Sequence, residues 1–89
     1  MEETSGLFVA VKKKPKKRYY RDNDLLKEVG ANLRAARIAR DITIEELANE
    51  IGVDYSQINR MELGKINFTI SNLYRISSVL KTDPKKLLP

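Results

Sequence analysis

The chain contains no cysteine and no histidine. Without cysteine there is no disulfide, no thiolate metal site and no thiol nucleophile. Without histidine as well, the usual zinc sites and the Ser-His hydrolases are excluded. Long apolar runs are missing too. The longest, Leu7 to Val11, is far short of a membrane span and short for a signal peptide, and the lysines follow it instead of preceding it. No phosphate-cradling loop occurs, and no motif for a cofactor, a metal or a small-molecule ligand. These absences point away from an enzyme and away from a membrane protein.

What is present is a basic, moderately apolar chain. Its 89 residues suffice for one domain, and the 42% apolar fraction suits a small core of marginal stability. The net charge of +5 and a pI near 9.6 favour a polyanionic partner. A cysteine-free composition fits the cytoplasm.

Charge divides the chain unevenly. Residues 1–24 carry seven basic and four acidic side chains; residues 25–89 carry ten and eight. The excess sits in Lys12, Lys13, Lys14, Lys16, Lys17 and Arg18, six cations in seven positions. Such a block repels itself and is expected to be disordered alone. Residues 1–23 thus read as a basic, flexible arm. Leu7 to Val11 has strand-forming composition but no partner strand; it either pairs with its own copy or forms part of a tail.

From Asp24 to the end the pattern is helical, so the fold class is all-α, with one domain over 24–89. Leu26, Val29, Leu33, Ala36 and Arg37 share one face of a first helix ending near Arg40. Asp41 follows, where a left-handed residue is expected. Thr43 caps a second helix, with Glu46 completing a capping box. Asp54 and Gln57 are expected to repeat the device for the third. Gly64 ends that helix, and Thr69 caps a fourth whose inner stripe is Leu73, Ile76 and Leu80. Asp83-Pro84 opens a short fifth, with proline where its missing N–H costs nothing. Leu87 closes the core.

The segment from Thr43 to Gly64, TIEELANEIGVDYSQINRMELG, carries the functional signal. Ile44, Leu47, Ala48, Ile51, Ile58 and Met61 recur at helical spacing, interrupted at Gly52-Val53. Two short helices with a tight bend would place all of them inward. Ala48 is the small residue where the helices cross, and Gly52 is free of Cβ strain at the bend. Tyr55, Ser56, Asn59 and Arg60 would then face outward as a ridge suited to the DNA major groove. This pattern is a helix-turn-helix. An ordinary helical hairpin would need Ala48, Gly52 and both caps to coincide by chance.

Residues 28–88 resemble the lambda-repressor and Cro class, the XRE family of helix-turn-helix regulators. The matching strings are LRAARIARDITIEELANEIGVDYSQINRMELGKINFTISNLYRIS and TDPKKLL. The resemblance implies a five-helix DNA-binding domain whose third helix reads bases. It assigns base contacts to Tyr55, Ser56 and Arg60 first, and to Gln57 and Asn59 next. The chemistry agrees in part: arginine pairs with guanine through two hydrogen bonds, and asparagine does so with adenine. The docking geometry is that of the class and is not read from these residues.

The resemblance also implies a structural Arg37–Glu62 ion pair. Both residues fall on inner faces, where a lone charge costs several kcal/mol, so each calls for the other. Glu45, Glu46 and Glu50 cluster on the second helix. The first two suit its positive end, and no second acid in a cleft makes any of them catalytic.

One departure from the class is visible. A glutamine that donates to phosphate at the start of the second helix is replaced by Ile44. Phosphate contacts then fall to Thr43 and the helix-end N–H groups, to Arg34, Arg40 and Lys65, or to the arm from Lys12 to Arg18. That arm would track a groove or the backbone in a salt-dependent way; a solubilising tail and a nuclear import signal are the other readings. Leu63, Ile66 and Phe68 follow the third helix and suggest a twofold interface, although Phe68 can also serve the core.

The sequence therefore describes a homodimeric, sequence-specific binder of double-stranded DNA, a transcriptional regulator expected to repress. The alternative is a protein-interaction module of the same fold, such as an antitoxin or adaptor.

Overall fold

Residues 22–89 are described by a computed structural model, so the basic block and the run 7–11 lie outside the described residues. Four α-helices follow in order: α1 (Asn23–Ala39), α2 (Ile44–Ile51), α3 (Tyr55–Glu62) and α4 (Ile70–Val79), then a 3₁₀ turn, Pro84–Leu87. No strand occurs among the described residues.

Each helix begins where a side chain or a tightened turn satisfies its first N–H groups. For α1 the acceptor is Asp22, whose Oδ1 takes the Leu25 N–H at 3.0 Å. Thr43 and Glu46 form the expected capping box of α2, with mutual bonds of 3.0 and 2.9 Å. Thr69 Oγ1 accepts from the Asn72 N–H at 3.0 Å to open α4. At α3 the expectation fails. Asp54 stands at the cap position, but its side chain makes no capping bond. Instead its main-chain carbonyl takes the Gln57 N–H at 3.0 Å. That tight first turn consumes the donor that the carboxylate would have captured.

The helix ends follow the same economy. Asp41 adopts φ of +59° after α1, as its position suggested. Gly52 ends α2 at φ +76° and ψ +38°, a left-handed conformation in which a Cβ would be strained. The Gly52 and Val53 N–H groups both donate to the Ala48 carbonyl, at 2.9 and 3.0 Å, and this closes the bend between α2 and α3. The expected fifth helix is a single 3₁₀ turn of four residues, with Asp83 Oδ1 accepting from the Lys85 N–H. Its main-chain bonds, Lys86 N–H to the Asp83 carbonyl and Leu88 N–H to the Lys85 carbonyl, run i→i+3, the 3₁₀ pattern.

The core forms where the inner faces meet. Leu33, Leu47, Ala48, Ile51, Ile58, Met61, Ile76, Leu80 and Leu87 are all buried in one cluster. Leu87 reaches it because Asn32 Nδ2 donates to the Leu87 carbonyl at 3.1 Å, fastening the last turn to α1.

Gly30, in the middle of α1, faces this core and sets the distance between α1 and α3. A Cβ built there would lie 2.4 Å from the Met61 carbonyl oxygen and 2.6 Å from that of Glu62. Backbone cannot yield as a side chain would. Gly30→Ala therefore tests close approach against propensity. In an open helix the change would stabilise by about 1 kcal/mol. Here overpacking should reverse the sign and cost about 2 kcal/mol. A urea melt of the variant reads the sign directly, and a raised midpoint would refute the contact.

Candidate nucleic-acid interface

The surface of α3 is built by what holds its opposite face. Ile58 and Met61 are fully buried, and Glu62 is 7% exposed beside them. Arg37 of α1 meets Glu62 with two bonds, Nε to Oε2 at 2.6 Å and Nη2 to Oε1 at 3.0 Å. Its Nη1 donates to the Ile42 carbonyl at 2.9 Å, so the same guanidinium also ties down the loop before α2. The fork geometry fixes rotation as well as distance. The hydrogen bond to Glu62 raises the Arg37 pKa above its ordinary value; burial opposes this, and the nearby Glu62 charge and Tyr55 add to it. The guanidinium stays charged at any working pH.

With that face locked, the outward edge of α3 is defined. Tyr55 is 56% exposed, and Ser56 and Arg60 are exposed with it. Gln57 and Asn59 are half-buried, lying on the flanks of the edge. None of these five side chains makes a hydrogen bond among the described residues. The structure brings Tyr55, Ser56 and Arg60 together on one side and leaves Gln57 and Asn59 partly withdrawn.

The residues assigned to phosphate are dispersed. Arg34 is exposed on α1 and makes no side-chain bond among the described residues. Arg40 is exposed, but its Nε is committed to the Leu80 carbonyl at 2.8 Å, at the end of α4. Thr43 is occupied by the α2 cap. Lys65 is exposed after α3. Lys12, Lys13, Lys14, Lys16, Lys17 and Arg18 lie outside the described residues. Ile44, at the first position of α2, is half-buried against the core and offers no donor.

The three apolar residues after α3 divide. Ile66 and Phe68 pack partly against the core, whereas Leu63 is 50% exposed. Glu45, Glu46 and Glu50 stand exposed on α2. Among the described residues no group of acids is placed to hold a metal ion, and no helix is long and apolar enough to cross a membrane.

Sequence reasoning passed over two residues that shape this surface. Gly30 has been described; its signal is a glycine on the inner stripe of an otherwise regular helix. Arg75 of α4 donates to the Ile51 carbonyl at the end of α2 and, at 3.3 Å, to Asn72 Oδ1. Its signal is the absence of any basic residue in the last turn of α2.

Comparison with known proteins agrees with this geometry. The helix-turn-helix family model HTH_3 matches residues 33–87, more than half of the chain. Among solved structures, the chain is similar to the restriction-modification controller protein C.AhdI from Aeromonas hydrophila. That likeness has 32% identity and a TM-score of 0.67, and covers 73% of this chain and 97% of the other. The hypothetical transcription factor NHTF from Neisseria follows at 26% identity and TM-score 0.67, covering 84% and 87%. The DNA-binding domain of BldD from S. venezulae shares the fold at 20% identity and TM-score 0.67, covering 74% and 99%. No curated protein sequence matches the chain.

The Arg37–Glu62 pair yields a quantitative test. Glu62→Ala strands a buried guanidinium and should cost about 3–5 kcal/mol. The double variant Arg37→Met with Glu62→Leu should recover most of that loss in thermal melts. A single variant that melts with the parent chain would contradict the burial of the pair.

Proposed function

The chain belongs to the HTH_3 helix-turn-helix family, and from that premise we propose that it is a transcriptional regulator reading double-stranded DNA with α3. The observation that carries the proposal is the outward edge of α3. Tyr55, Ser56 and Arg60 are exposed and unbonded to other side chains, on a helix whose inner face is fixed by a buried ion pair. Arg60 supplies a planar pair of donors for guanine, and Gln57 and Asn59 contact neighbouring bases from the flanks. The helix-end N–H groups, Arg34 and Lys65 steady the DNA backbone, while Arg40, held by the Leu80 carbonyl, serves the scaffold first. The arm from Lys12 to Arg18 adds sequence-independent attraction.

The relatives support this direction. One is a restriction-modification controller, one is described as a hypothetical transcription factor, and one is a DNA-binding domain. Regulation would proceed by occlusion of a promoter or by recruitment of polymerase, with repression the expected direction and the cytoplasm the expected place.

A homodimer would read two half-sites about 34 Å apart, one turn of DNA. The apolar surface supports such a partner. Leu25 (42% exposed), Ile70 (76%) and Leu88 (46%) rim a shallow apolar groove of about 220 Å³ between the start of α1 and the start of α4. Sedimentation equilibrium should give a dimer that Ile70→Asp converts to monomer.

The second reading, a protein-interaction module without DNA affinity, is favoured by Leu63, half exposed at the end of α3, and by the donor-free Ile44. Selection from a random duplex pool, followed by gel shifts across a salt series, separates the two. For a DNA reader, Arg60→Ala should abolish the preference for the selected duplex, a loss of about 1–3 kcal/mol. Deletion of residues 1–18 should weaken every duplex and flatten the log–log salt slope by up to about 5, for six phosphate contacts at about 0.9 each. A chain that shifts no duplex at low salt is an adaptor.

A further inference from the structure

α2 is electrically lopsided. Glu45 and Glu46 occupy its first turn, and its last turn has no basic residue. The negative end of a helix is ordinarily met by a cation of its own last turn. Here the cation comes from another helix. Arg75, in the middle of α4, donates through Nη2 to the carbonyl of Ile51, the last residue of α2. Asn72, one turn earlier on α4, holds the other side of the guanidinium at 3.3 Å. The guanidinium lies beneath the bend: a Cβ on Gly52 would be 3.9 Å from Arg75 Nη2.

Gly52 is the elbow on which α3 swings. Its own bonds to the bend are main-chain only, the Gly52 and Val53 N–H groups converging on the Ala48 carbonyl. α3 begins three residues later and, at its own start, lacks a side-chain cap. The entry of α3 is therefore held from the α2 side, and Arg75 is the one side chain of α4 bonded to that junction among the described residues.

We propose that Arg75 is a positioning residue for base reading: by clamping the end of α2 from α4, it sets the angle at which α3 leaves the bend. The proposal rests on the DNA-reading function argued above and deepens it. Arg75 touches no base. Its loss would leave a folded domain whose reading edge is displaced, so discrimination among sequences falls while general attraction to DNA does not. A cap that only stabilised α2 would lower the melting temperature and leave discrimination intact.

The test uses the full chain, at a temperature where circular dichroism shows every variant folded. The probes are the duplex recovered by selection and a mixed-sequence duplex of equal length. Arg75→Gln should lower the ratio of the two affinities about tenfold, the order of one lost base contact. Arg75→Lys, which returns a cation to the helix end, should restore most of the ratio. Lys86→Gln removes one charge from the 3₁₀ turn Pro84–Leu87, where no bond to the bend occurs, and should leave the ratio unchanged. In the free protein, amide exchange at Gly52 and Val53 should quicken in Arg75→Gln. Should that variant fail to fold, Asn72→Ala carries the same test with a smaller loss. An unchanged ratio in Arg75→Gln, or an equal loss in Lys86→Gln, overturns the positioning role alone. A wild-type chain with no preference for the selected duplex overturns the DNA-reading proposal, and the positioning role falls with it.

Discussion

The contact between α1 and α3 governs the placement of everything else. At Gly30 the two helices approach so closely that a methyl group would strike the carbonyls of Met61 and Glu62. Two turns further along α1, Arg37 grips Glu62 through two bonds. Close approach fixes separation, and the fork fixes rotation. A short helix of eight residues has little stability of its own, so its orientation is dictated by such tertiary anchors. The charged pair contributes little net stability compared with an apolar replacement. What it contributes is a single register for α3. Rotation about the helix axis by one residue would bury Arg60 and expose Met61. The guanidinium and carboxylate penalise that alternative, because it would leave a buried carboxylate without its cation.

The arginines of the domain divide by this logic into structural and available. Arg37, Arg40 and Arg75 each donate to a main-chain carbonyl: Ile42 before α2, Leu80 after α4 and Ile51 at the end of α2. Neither α2 nor α4 has a basic residue in its own last turn. The cations that meet their negative ends come from other helices, so helix capping and tertiary packing are here the same interaction. Arg34 and Arg60 remain without such commitments among the described residues. Of these, Arg60 alone lies on α3. A count of basic residues would treat all five alike; the geometry separates those that hold the scaffold from those that can meet a partner.

Much of this was legible in the sequence, and the misses share a cause. The inner faces of all four helices, the Thr43–Glu46 box, the left-handed Asp41 and the Thr69 cap follow from local periodicity and short-range hydrogen bonding. Those rules involve residues within one or two turns of each other. The Asp54 cap failed because a competing main-chain bond, Gln57 N–H to the Asp54 carbonyl, closes the same turn. Composition cannot rank the two. The fifth helix is a 3₁₀ turn because its main-chain bonds close at i→i+3, although its buried leucine was foreseen. Gly30 and Arg75 were passed over because their significance arises between elements distant in sequence. Arg75 and Ile51 are 24 residues apart, and no periodicity links them. Arg37 and Glu62 are 25 apart, yet their pairing was anticipated, because the family resemblance implies it and two charges on inner faces each demand a partner. A buried charge announces its need in the sequence; an exposed cation that caps a distant carbonyl does not.

The distribution of charge also constrains how such a domain would meet DNA. Residues 25–89 carry ten basic and eight acidic side chains, and two of the acids, Glu45 and Glu46, stand in the first turn of α2. Those acids favour the helix and disfavour a neighbouring phosphate. With Ile44 beside them in place of a donor, the start of α2 adds little attraction. Three of the five described arginines are occupied by carbonyls. Under the proposed function the domain by itself would therefore be weakly attracted to DNA in general, and weak general attraction would leave a larger share of the affinity to base contacts. On the same reading, the six cations from Lys12 to Arg18 would supply the missing electrostatic term. Under the proposed function the two parts act on different quantities: the arm on overall affinity and its dependence on salt, the edge of α3 on the ranking of sequences. That separation follows from where the charges stand, because three of the domain's five described arginines are committed to main-chain carbonyls of the scaffold.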